Sequence, residues 1–167
     1  DRARSTRGPT RPAAAASPSW SIRFASARFC ASSTPTSLSR IRSKVLTPSI
    51  IVNGSVEQIQ VGANNDVVSV GPGGGVNSVV LGDGNNRLNL NGNNVWALTA
   101  FGGNDTASVN TGMVDQLYLG GGDNLFTLGA GANIGQIRTN EGNDRYTQNG
   151  GNVQTAGFGD GNNTILL

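Results

Sequence analysis

The chain has 167 residues, enough for one domain, with aromatics at 5% and 25 glycines. That is too little bulky side chain for an ordinary layered core, and it favours a thin, repetitive one. There is no histidine, which removes the usual zinc ligand and the commonest general base, and the single Cys30 excludes an internal disulfide framework.

The formal charge of +2 is the sum of two opposite parts. Residues 1–49 carry nine basic groups and one acid, a net of +8; residues 50–167 carry three basic groups and nine acids, a net of −6. The first part is rich in Arg, Ser, Ala and Pro and holds no sustained period of 3.6 or 2. Such a stretch buries too little apolar surface to offset chain entropy, so a disordered basic leader is expected over 1–49. Three readings of it stay open: a transit peptide, a basic tail for nucleic acid or anionic lipid, or sequence from outside the native gene product. No run of about 18 apolar residues occurs anywhere, so no membrane-spanning helix is expected.

From Ile50 the text becomes regular. Six turns share one pattern: "ANNDV" (63–67), "DGNNR" (83–87), "GGNDT" (102–106), "GGDNL" (121–125), "EGNDR" (141–145) and "DGNNT" (160–164). Their aligned residues are Asp66, Asn86, Asp105, Asn124, Asp144 and Asn163, at steps of 20, 19, 19, 20 and 19. A fixed period of this size is the signature of a solenoid. The apolar residues keep the same period in five columns. These begin at Val68, Val70, Val56, Ile59 and Val61, and each recurs coil after coil, as in Val56, Val76, Val95, Val114, Ile134 and Val153. Alternation at spacing two within each column pair argues strand.

Each coil therefore reads strand, corner, strand, corner. The first corner is "GDGNN"-like and constant in length; the second is Gly/Asn-rich and varies by one residue, which accounts for the 20-residue steps. The expected fold is all-β: a parallel β-solenoid, of β-roll or β-helix type, with about six coils of 19–20 residues over 50–167. One coil cannot bury its own apolar face, so stacking supplies the stability. The text stops on a strand at "TILL" without a polar cap. An open apolar end templates pairing. It predicts either a solenoid truncated at its C-terminus or an end that assembles with another copy.

The turns resemble the nonapeptide repeats, G-G-x-G-x-D-x-U-x, of haemolysin-type (RTX) calcium-binding proteins. In "LGDGNNRLN" (81–89) Gly82, Gly84 and Leu88 match; in "AFGGNDTAS" (100–108) Gly103 and Asp105; in "TNEGNDRYT" (139–147) Gly142, Asp144 and Tyr146. The resemblance covers about 62–167. It implies a parallel β-roll, a secreted bacterial origin and calcium held at the turns. The x-h-x-h-G-x-G-N rhythm is also similar to curlin-type repeats.

Candidate calcium ligands are Asp66, Asp83, Asp105, Asp123, Glu141, Asp144 and Asp160. Calcium takes six to eight oxygens at about 2.3–2.6 Å, and carboxylates stacked about 4.8 Å apart could hold an ion midway. The Asp column, however, alternates with Asn. Alternation avoids a repulsion of about 1 kcal/mol in water between stacked carboxylates, which a metal-filled column would not need to avoid. The neighbouring column is Asn65, Asn85, Asn104, Asp123, Asn143 and Asn162. Its five asparagines tolerate turn conformations and can bond to the coils above and below, so they form a candidate structural ladder.

No enzyme is expected, because no Ser/His/Asp or Cys/His set exists without histidine. "GPGGGV" lacks the Lys-Ser/Thr of a phosphate loop. Asp66 and Asp105 as a glycosidase pair, or the outward Ser/Thr column as an ice-binding face, fit less well. Trp96, Tyr118 and Arg138 are expected to point outward on neighbouring coils. The expected function is a non-enzymatic, secreted or cell-surface bacterial module: a spacer, adhesin segment or secretion-linked folding unit with weak calcium binding at its corners. The alternative is a metal-free, self-assembling solenoid held by Asn ladders. Expected partners are a second copy, stacked end to end, or cell-surface polysaccharide; no nucleic acid is expected on the folded part.

Overall fold

The computed structural model describes residues 28–32, 38–42, 49–72 and 75–167, and every element among them is a strand. Six short strands come first: β1 (Arg28–Ser32), β2 (Leu38–Arg42), β3 (Ser49–Asn53), β4 (Val56–Gln60), β5 (Val67–Val70) and β6 (Val76–Gly82). Three long ones follow, β7 (Arg87–Ala100), β8 (Thr106–Tyr118) and β9 (Leu125–Arg138), then β10 (Arg145–Gln148), β11 (Asn152–Gly157) and β12 (Thr164–Leu166). All pairings are parallel, each strand lying on the equivalent strand one coil away. This is the stacked-coil solenoid expected from the repeat.

Two faces result. One runs β1-β3-β5-β7-β8-β9-β10-β12; the other runs β2-β4-β6 and continues through the second halves of β7, β8 and β9 to β11. Parallel neighbours ordinarily need a long crossover. Here the other face of the same coil is the crossover. Within residues 1–49, β1 pairs with β3 and β2 with β4. Of the disordered leader expected over 1–49, residues 28–32 and 38–42 are thus strands of the solenoid, and the remainder lies outside the described residues.

The one-residue variation at the second corner is absorbed as a bulge, since β7, β8 and β9 continue through it as strand. Val109 pairs with Leu128, an offset of 19, and Thr111 with Gly131, an offset of 20, with the register shift between them. An extra residue in one strand of a pair bends it locally, and pairing continues at the new offset of 20 through Tyr118 and Arg138.

The core is the narrow space between the two faces. Val68, Leu88, Ala107, Phe126 and Tyr146 enter it from one side, and Val56, Val76, Val95, Val114 and Ile134 from the other, all buried. Phe126 stacks on Tyr146 at 5.3 Å between ring centroids, and Tyr146 reaches Phe158 at 6.1 Å. The columns fail only at the last coil. Ile165 and Leu167, expected inward, are 51% and 91% exposed. Ala156 is exposed too, because no described coil stacks beyond it. Among the described residues no helix is long and apolar enough to cross a membrane.

Candidate functional site: the glycine-rich corner

The first corner is where the chemistry-bearing residues gather, and its backbone explains its composition. Gly84, Gly103, Gly122, Gly142 and Gly161 all have positive φ, from 106° to 138°. They also sit where consecutive coils touch. A Cβ on Gly103 would lie 2.5 Å from the carbonyl oxygen of Gly84. Glycine accepts that φ together with that approach; in the corner before Gly84 the equivalent residue is Asn64, also with φ of 111°.

Two residues after this glycine comes the Asp/Asn column, and it points inward. Asp66, Asn86, Asp105, Asn124 and Asp144 are each 1–2% exposed. Strand parity explains it: each lies two residues before a core residue, Val68, Leu88, Ala107, Phe126 or Tyr146. Buried polar groups must be hydrogen-bonded, and here a ladder forms. The backbone N–H of each column member donates to the side-chain Oδ1 of the next coil: Asp66 to Asn86 (3.0 Å), Asn86 to Asp105 (2.8 Å), Asp105 to Asn124 (2.9 Å), Asn124 to Asp144 (3.0 Å), Asp144 to Asn163 (2.8 Å).

The column one residue earlier is exposed and runs the opposite way. The N–H of Asn85 donates to Oδ1 of Asn65 in the preceding coil (2.7 Å), Asn104 to Asn85 (2.7 Å), Asp123 to Asn104 (2.9 Å), Asn143 to Asp123 (2.7 Å) and Asn162 to Asn143 (2.9 Å). All five candidate ladder asparagines therefore occupy ladder positions, with Asp123 as a sixth member. The rungs differ from simple amide stacking, because each side-chain oxygen accepts a backbone N–H rather than a neighbouring amide.

Backbone bonds close the rest of the corner. Gly84 N–H reaches Gly102 O (2.8 Å), Gly103 reaches Gly121 (3.1 Å), Gly122 reaches Glu141 (2.8 Å) and Gly142 reaches Asp160 (2.9 Å). On the far side Thr106 N–H donates to Asn86 O and Leu125 N–H to Asp105 O, both at 2.8 Å. The inward Asn amides take two further carbonyls. Asn86 Nδ2 donates to Gly84 O (2.9 Å) and Gly82 O (3.4 Å), and Asn124 Nδ2 to Gly122 O (2.9 Å) and Gly120 O (3.5 Å).

The seven candidate calcium ligands are divided by this arrangement. Asp66, Asp105 and Asp144 face the interior; Asp83, Glu141 and Asp160 are exposed on the outer rim; Asp123 is a rung of the exposed ladder. Among the described residues no three such side chains come together in a group that could hold a metal ion. The backbone oxygens of Asp83, Gly102, Gly121, Glu141 and Asp160 each accept an N–H from the preceding coil.

The inward asparagines Asn86, Asn124 and Asn163 were not singled out from the sequence as ladder residues. Their signal was the even spacing to the apolar column. Trp96 and Arg138 are exposed as expected, and Tyr118 is half-buried, its hydroxyl accepting from Asn140 Nδ2 at 2.5 Å.

The two ladders respond differently to substitution. Asn104→Ala deletes the acceptor of the Asp123 N–H and should cost about 1 kcal/mol. Asp105→Asn keeps the acceptor for Asn86 and adds a donor like those of Asn86 and Asn124, so it should leave stability unchanged or raised. Thermal melts of the two variants beside the parent check this order; a larger loss for Asp105→Asn would contradict it. Comparison with family models, with curated proteins and with solved structures finds no match.

Proposed function

We propose that this chain is a non-enzymatic structural module of a secreted or cell-surface bacterial protein, a stiff spacer whose coils are held together at the corners without metal. The observation that supports it is the bonding of the first corner from coil to coil. Two side-chain ladders of opposite direction and a backbone ladder between them join consecutive coils directly, with corner carbonyls such as those of Gly102, Gly121, Glu141 and Asp160 accepting N–H groups of the preceding coil. Stability of this kind is nearest-neighbour stability, passed from coil to coil, and suits an element that sets distance rather than one that performs a reaction.

A second reading, end-to-end association with another copy, is favoured by the last coil. Its Ile165 is exposed where Val68, Leu88, Ala107, Phe126 and Tyr146 are buried, and its Leu167 where Val70, Leu90, Val109 and Leu128 are; among the described residues β11 and β12 each pair on one side only. Sedimentation over a range of concentrations tests it: a single monomeric species throughout would remove it.

The metal-free reading is tested by melting the full chain in calcium and in chelator. A filled site would raise stability by RT ln(1 + [L]/Kd), about 1.4 kcal/mol at ten times Kd. The expected result is coincident curves. A calcium-dependent rise would return the corners to the haemolysin-type role.

A further inference from the structure

The inward column alternates between two side chains of nearly identical shape, and the structure shows what distinguishes them. In the Asn coils one side-chain atom, Oδ1, accepts an N–H from the preceding coil, and the other, Nδ2, donates to corner carbonyls two and four residues back. Asn163 repeats the contact with Gly159 O, four back, at 2.9 Å. In the Asp coils Oδ1 does the same work: Asp105 Oδ1 accepts from Asn86 N and Asp144 Oδ1 from Asn124 N. The second atom is now an oxygen. Oδ2 of Asp66, Asp105 and Asp144 is buried and without a hydrogen-bond partner among the described residues. Oδ1 of Asp66 is likewise unpaired.

By the equivalence of the coils, the unpaired Oδ2 occupies the place from which an amide donates. A bare carboxylate there sets oxygen against carbonyl oxygen with no hydrogen between them. A protonated carboxyl restores the donor and reproduces the asparagine pattern atom for atom. We infer that Asp66 and Asp105 are held as neutral carboxylic acids in the folded chain, each donating its own proton to a corner carbonyl as the asparagine amides do, so that the coils loosen when those protons are lost.

The surroundings agree. Burial pushes the Asp66 carboxyl from its ordinary 3.8 up to about 7. Burial also pushes Asp105 to about 6, against the opposing pull of hydrogen bonds from the Asn86 backbone and side chain. The charged side chains on the corners and strands packed against the two, Glu57, Asp83, Arg87 and Asp123, are all exposed. Among the described residues the other buried members of the column are Asn86, Asn124 and Asp144. Among the described residues no buried cation is there to hold either carboxylate ionised.

The sign follows from linkage. Between the unfolded pKa near 3.8 and the raised native values, the folded chain keeps protons that the unfolded chain has released. Stability is therefore full below the unfolded pKa and falls as pH rises to about 6 and 7, then levels off. Within that window the folding equilibrium constant falls by up to about ten-fold per pH unit for each group.

The inference rests on the metal-free reading of the corner, and the test separates the two. The full chain is melted in chelator and in calcium from about pH 5 to 8, beside Asp66→Asn, Asp105→Asn and the double variant. The parent Tm should fall by several degrees across this range. The double variant should be flat, and should melt above the parent at the alkaline end. Infrared spectra at the acid end should show a protonated-carboxyl stretch that moves with isotopically labelled aspartate and is missing from the double variant. A parent curve as flat as the double variant's, with no such band, overturns the inference and leaves the ladder standing. A calcium-dependent rise at the alkaline end that Asp66→Asn or Asp105→Asn removes makes the oxygen an ion ligand and overturns both.

Discussion

Val114→Asp should unfold the central coils. Val114 is fully buried, with Val95 stacked on one side and Ile134 on the other. A carboxylate at this position meets only the apolar core between the two faces. Asp105 and Asp144 each receive a corner N–H at Oδ1; the Val114 column offers no such donor, since its strand N–H groups are already spent on the β7–β8–β9 ladders. An uncompensated buried charge costs several kcal/mol, at the top of the range for single substitutions. Because each coil is stabilised by its neighbours, the loss should spread through β7, β8 and β9 rather than stay local. Asp115→Val, one residue on and half-exposed, should change stability by only about 0.5 kcal/mol. Circular dichroism melts of the pair decide the matter. Equal losses would mean that inward and outward are exchanged, since a one-residue slip turns every side chain of a strand to the other face.

The second large effect is expected at Gly103. Gly103→Ala meets two obstacles at once: φ of 111°, which L side chains rarely adopt, and a Cβ 2.5 Å from the Gly84 carbonyl oxygen. The obstacle is backbone, so no rotamer change relieves it. Moving the corner apart would lengthen the rungs on both sides, Gly84 N–H to Gly102 O, Asn104 N–H to Asn85 Oδ1 and Asn86 N–H to Asp105 Oδ1. Strained φ and overpacking each cost about 1–3 kcal/mol, so a loss of roughly 2–6 kcal/mol is expected. Gly75→Ala is the control: its Cβ would meet nothing within 4 Å. It should be near neutral. Hydrogen exchange should further show that Gly103→Ala exposes the corner amides of Asn86, Asn104 and Asp105 first. Unchanged protection there, with a normal melt, would mean that the corner tolerates a side chain and that glycine recurs for another reason.

Much of this molecule could be read from spacing. The 19–20-residue period, the parallel stacking, the five apolar columns and the assignment of the length variation to the second corner all follow from where Val, Leu and Ile recur. They follow because a thin core admits one register: a shift of one residue would turn Val68, Val70 and their equivalents to solvent. The exposed Asn column was also legible, since asparagine at a fixed place in a glycine turn has few other uses.

What the sequence left open was the face of the neighbouring column. Parity alone places Asp66, Asn86 and Asp105 inward, two residues before Val68, Leu88 and Ala107, whereas their chemistry suggests a solvent-facing, metal-binding rim. The conflict is decided by atoms that lie about 20 residues away in the chain. Only when coils stack does the N–H of Asn86 come to Asp105 Oδ1, or that of Asn104 to Asn85 Oδ1. A buried polar side chain is tolerable where its partner is supplied and costly where it is not. The period was thus a property of the sequence by itself. The inward polar ladder, its direction opposite to the outer one, and the carboxyl oxygens left without a donor are properties of the stacked coils, because the groups that satisfy or fail to satisfy them belong to the next turn of the solenoid.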